Sequence, residues 1–87
     1  MTTQMLTVSK ATAQAGRHVR SMMPGVGATV ESRLSHDLAT DTPTVVTTVT
    51  YPAGHPDRLM LACTLRNSFP GAVIDWTATH MTIVRSR

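Results

Sequence analysis

Four histidines, one cysteine, seven arginines and a single lysine are the residues of this chain best suited to chemistry. Ser35, His36 and Asp37 supply the side-chain types of a hydrolytic triad, in which a carboxylate orients an imidazole that takes the serine proton. Their adjacency argues against that role, because neighbours along a chain point apart, and the three read as loop residues. His18, His36, His55 and His80 show no His-x-x-x-His or Glu-x-x-His spacing. A metal site would need ligands gathered from separate elements, with Asp37 or Asp57 as the carboxylate, so no metal is expected. Cys63 has no charged cluster beside it in sequence to lower its thiol pKa and reads as a small hydrophobe. One cysteine also excludes an internal disulfide, a Cys-pair zinc finger and a cysteine-held iron–sulfur cluster. Pro24-Gly25-Val26-Gly27 follows a helical stretch, whereas phosphate-cradling loops precede one. No cofactor is expected.

Charge is more informative than any motif. Lys10, Arg17, Arg20, Arg58 and Arg66 all fall on helical stretches, with Asp57 as the acidic residue among them. The rest of the chain carries Arg33, Arg85 and Arg87 against Glu31, Asp37, Asp41 and Asp75. A one-sided basic face is the footprint of a polyanion partner, so a nucleic-acid-binding module is one reading. Ordinary solvated helix charges are the alternative.

The elements that must position these groups follow from periodicity. From Lys10 to Met23, Ala11, Ala15, His18, Val19, Met22 and Met23 share one face of a helix, with Ser9 as N-cap and Pro24-Gly25 as the stop. Ala28, Val30, Ser32 and Leu34 alternate with polar residues, the period of a half-buried strand. Ser35 to Thr44 reads as a loop. TVVTTVTY, from Thr44 to Tyr51, is nearly all β-branched and reads as a second strand. His55-Pro56-Asp57 opens a second helix, with Leu59, Leu61, Ala62, Leu65 and Phe69 on its inner face and Pro70-Gly71 as the stop. From Ala72 the pattern is strand-like, but its phase slips between Trp76 and Met81, which calls for a bulge or a hairpin near Thr77 to His80. Val19 to Gly25 and Leu65 to Gly71 echo each other as apolar, Arg, polar, any, large apolar, Pro, Gly, a hint of pseudo-symmetry.

With Gln4 to Val8 as a short first strand, the order becomes β-α-β-β-α-β. The expected fold is thus α+β, a two-layer sandwich of the ferredoxin-like plait type, with a mainly antiparallel sheet and two helices on one face. The 87 residues fit one domain, 1–87. The chain is 41% hydrophobic and only 15% charged, which argues against disorder. No apolar run reaches the length of a membrane span and no signal peptide opens the chain, so a cytoplasmic location and no membrane partner are expected. The preference for Arg over Lys, with abundant Thr and Ala, suggests a GC-rich bacterial genome or a phage of one.

A single helical layer leaves one sheet face open. Thr47, Thr48, Thr50, Thr77, Thr79 and Thr82 suit such a face, with Tyr51, Trp76 and Met81 as anchors for a partner. The resulting expectation is a small non-enzymatic binding or assembly protein, a phage or mobile-element accessory, engaging itself or another protein through that face. Two alternatives stand beside it. One is nucleic-acid binding by the basic helices. The other is a small cofactor-free enzyme that dimerises into an α+β barrel, with Trp76, His80 and His55 lining a cleft.

Overall fold

A computed structural model describes residues 6–87. Helix α1 spans Val8–Met22, and an antiparallel hairpin follows from β1, Thr29–Asp37, and β2, Thr42–Thr50. Helix α2, Arg58–Ser68, leads into a second antiparallel hairpin of β3, Val73–Trp76, and β4, His80–Ser86. The hairpins join through β2 and β4, giving a four-stranded antiparallel sheet in the order β1-β2-β4-β3. The fold is α+β, with two helices and an all-antiparallel sheet.

The expected strand order does not hold. Gln4 and Met5 lie outside the described residues, Leu6 and Thr7 join no strand, and Val8 already opens α1. Thr7, not Ser9, caps the helix. Its backbone is extended at φ −103° and ψ 162°, and its hydroxyl oxygen accepts from the Lys10 N–H at 3.1 Å. The slot beside β2 that a plait reserves for a leading strand is filled by β4. The phase slip after Trp76 is therefore a hairpin, because a tight turn puts Trp76 and Met81 opposite each other in the ladder.

The echoed Pro-Gly segments end both helices in the same way. Met23 N–H returns to Val19 O and Phe69 N–H to Leu65 O, each at 2.8 Å. Gly25 and Gly71 then adopt φ of 73° and 84°, a region that side chains with a Cβ rarely enter. Each half of the chain is thus helix, Pro-Gly turn and hairpin. Exchanging the halves leaves the strand order unchanged, so the repeated unit is α-β-β rather than the expected β-α-β.

The core lies between the sheet and the helices. Leu61, Leu65, Val49, Met81 and Ile83 are fully enclosed, packed with Ala15, Val19, Met23, Tyr51, Phe69 and Ile74. Leu59, expected on the inner face of α2, is exposed instead, as are Met60 and Cys63. A polar thread crosses the same layer: Thr12 Oγ1 lies 2.8 Å from Ser32 Oγ, which lies 3.0 Å from Thr47 Oγ1. Thr47 is accordingly buried under α1, not displayed on an open face.

Candidate functional site

Strand pairing fixes which side chains share a face, because residues directly opposite in a ladder point the same way. Val30, Val49 and Met81 align, as do Ser32, Thr47, Ile83 and Ile74, and these rows face the helices. The other face carries a row of Arg33, Val46, Val84 and Val73 across all four strands. The neighbouring row is Glu31, Thr48, Thr82 and Asp75. Thr29, Thr50 and His80 form the next. No described element covers this face. Val46 is nonetheless only 7% exposed, sheltered by its β-branched and arginine neighbours, and a shallow depression of about 290 Å³ opens between Glu31, Arg33, Thr48 and His80.

The anchors expected for that face are elsewhere. Tyr51 and Met81 are core residues on the helix side, 4% and 0% exposed. Trp76 is exposed, but it pairs with Met81 and so stands on the helix side of edge strand β3. The parity error has a physical source: the turn between β3 and β4 inverts the phase, and TVVTTVTY carries apolar side chains on both faces. Thr48, Thr50 and Thr82 do lie on the open face, whereas Thr77 and Thr79 belong to the turn.

Tyr51 has a structural task. Its hydroxyl donates toward Thr77 O at 2.7 Å and His80 O at 2.9 Å, holding the β3–β4 turn against the end of β2. Burial raises its pKa above the ordinary tyrosine value, and the nearby Arg58 guanidinium lowers it by less. The cleft imagined for Trp76, His80 and His55 is not assembled, since His80 and Trp76 point to opposite faces of the sheet.

The basic helical residues divide into separate groups. Lys10, Arg17, Arg20 and Arg66 are exposed. Arg20 reaches back over Gly16, where an added Cβ would lie 3.3 Å from its Nη1. Arg58 is half-buried, with Nη1 donating to His55 O at 3.0 Å. Across the β1–β2 turn the exposed His36 Nε2 lies 2.7 Å from Asp41 Oδ1, a contact that becomes an ion pair only when the imidazole is protonated. Ser35 points away from His36 along β1, so the triad types do not converge. No group of three or more metal-ligand residues forms among the described residues. No described helix is long and apolar enough to cross a membrane.

A second constellation went unnoticed in the sequence. Arg85 is in phase with Met81 and Ile83 and therefore points to the helix side of β4. Its guanidinium carbon lies 4.0 Å over the Phe69 ring, and Nη2 donates to Gln14 Oε1 at 3.0 Å. Its Nε is enclosed without an acceptor, a deficit that typically costs about 1–3 kcal/mol. Burial also pushes the guanidinium pKa below its ordinary value. His18 meets the same ring edge-on, with centroids 6.0 Å apart. A cleft of about 420 Å³ opens here, walled by Leu6, Gln14, Phe69, Pro70, Ala72 and Arg85. A cationic residue on the apolar parity of a strand was the signal that could have found it.

Comparison of the chain with models of known families, with curated proteins and with solved structures finds no match.

Proposed function

We propose that this chain is a small assembly module that pairs with a second copy of itself through the uncovered face of its sheet. The observation that carries this reading is the row of Arg33, Val46, Val84 and Val73, which crosses the whole sheet with no described element packed on it. Sheets that bury one face only are commonly completed by another sheet stacked about 10 Å away. The face is also self-complementary. Glu31 and Arg33 stand two residues apart on the same side of β1, and the valine row lies beside a threonine row. A twofold axis crossing the strands between these rows sets each Arg33 over Glu31 of the second copy, and the central valines over Thr48 and Thr82. Both charges sit at the rim, where they stay hydrated and select the register at little desolvation cost.

Light scattering coupled to size-exclusion chromatography, run from about 10 to 500 μM, tests this. The expected result is a concentration-dependent dimer that Val73→Asp weakens at least about tenfold, because the same twofold sets residue 73 over Asp75 of the second copy, while Val73 is 60% exposed and the new charge costs the monomer little. A monomer throughout that range overturns the proposal. Retention on duplex DNA that fades with salt and persists in Val73→Asp would favour the basic helices as the working surface instead.

A further inference from the structure

We infer that the cleft between Arg85, Gln14 and the end of α2 is a binding site for a singly charged organic carboxylate with a small apolar body. The site lies on the helix side of the sheet and is independent of the pairing surface.

Donor side chains line the side of the cleft away from the last turn of α2. Arg85 offers the N–H groups not used on Gln14. Gln14, whose Oε1 faces Arg85, has its amide N–H₂ left to donate, and on the other side Ser68, at the end of α2, adds a hydroxyl. The groove continues past Gln14, Ser68 and Phe69 to Arg17 and His18. No Asp or Glu lines either part. A guanidinium fixed against a neutral amide and a ring face, with no carboxylate in the cleft, has its remaining Nη N–H groups preorganised for an oxyanion, while the enclosed Nε stays out of reach. Phe69 fixes its plane, so little side-chain freedom is lost on binding.

The size of the charge follows from α2. Ser68 is its last residue, so the helix presents the negative end of its dipole, equivalent to about half a charge, to the same cleft. That end offsets part of Arg85 and disfavours a dianion such as phosphate. Leu6, Pro70 and Ala72 supply the apolar wall, and about 420 Å³ holds a molecule of benzoate size.

Sodium benzoate and inorganic phosphate, each titrated at constant ionic strength into isotope-labelled full-length chain, decide the matter by amide and arginine-side-chain NMR. Benzoate is expected to shift the Arg85 Nε–H signal and the amides of Ser68, Gly71 and Ala72 saturably, with a Kd of about 1–5 mM. Phosphate is expected to bind at least about fivefold more weakly, from the dipole argument. Arg85→Gln should weaken benzoate at least about tenfold, and Arg85→Lys nearly as much, since an ammonium lacks the planar fork. Gln14→Leu, at a half-buried position on α1, should weaken it about threefold and decides the test if Arg85→Gln fails to fold. Shifts that do not saturate by about 50 mM, or that are unchanged in these variants, overturn the inference. Tighter binding of phosphate than of benzoate overturns the assignment of a single charge.

Discussion

At the scale of single residues, Tyr51 shows how one side chain can serve structure where the sequence suggested recognition. Its ring fills the core and its hydroxyl reaches two carbonyls of the β3–β4 turn. Tyr51→Phe keeps the ring and removes the donor, leaving both acceptors to weaker partners, so it should destabilise the fold by about 1–2 kcal/mol. In a chain this small that is a fall of roughly 5–15 °C in Tm, measurable by thermal circular dichroism. The pH dependence has a definite sign. The folded-state pKa of Tyr51 is raised, so its contribution is complete below the unfolded tyrosine value of 10.0 and is lost as pH rises through the higher folded value. Urea midpoints measured at pH 8, 10 and 11 should fall on the alkaline side in the native chain, and less in Tyr51→Phe. Equal alkaline slopes in the two proteins would show that the hydroxyl is not protected by burial.

At the scale of elements, each helix was legible because its apolar spacing is regular and Pro-Gly ends it, and β2 was legible because β-branched residues dominate it. Two boundaries were missed: the end of β1, which runs to Asp37 through the segment read as a loop, and the start of α1. Ser9 and Thr7 are both good caps, and choosing Ser9 left Val8 free to be read as a strand. The hydrogen bond from Lys10 N–H to Thr7 Oγ1 decides between them, and the strand order changes as a consequence. Thr7→Ala should cost about 1 kcal/mol, whereas Ser9→Ala should be nearly neutral, a contrast readable in chemical denaturation. Farther along α1, Gly16 occupies a helix interior at a backbone conformation any residue can adopt. An added methyl would meet the Arg20 guanidinium, the movable end of a flexible side chain, at 3.3 Å. Gly16→Ala should therefore stabilise the chain by about 0.5–1 kcal/mol, through the better helix propensity of alanine. A loss of stability would mean that Arg20 is held in place more firmly than its exposure suggests. The Arg85 cleft was not legible for a different reason. Its members come from α1, the end of α2 and β4, and only the tertiary fold brings Gln14 within 3.0 Å of a residue 71 positions later.

At the scale of the whole molecule, the two α-β-β halves meet through β2 and β4, and that junction puts both hairpins into one continuous sheet with one continuous exposed face. The valines at its centre, Val46 and Val84, face each other directly across the junction. The proposed pairing makes a demand on charge that a nonspecific apolar contact would not make. With Arg33 of each copy over Glu31 of the other, a dimer holds two equivalent pairs, each contributing about 0.2–1 kcal/mol at an exposed rim. Reversing one member alone turns both attractions into repulsions. Arg33→Glu or Glu31→Arg should therefore each raise the dimer Kd by about 5–30-fold. The double variant carrying both reversals restores opposite charges at the same separation, so its Kd should return to within about threefold of the native value. High salt should weaken the native dimer modestly and narrow the gap between it and the single reversals. Sedimentation equilibrium of the four proteins at low and high salt measures all of these quantities together. If the two single reversals weaken pairing and the double reversal weakens it further, Glu31 and Arg33 do not face each other across the dimer, and the twofold arrangement is wrong even if a dimer exists.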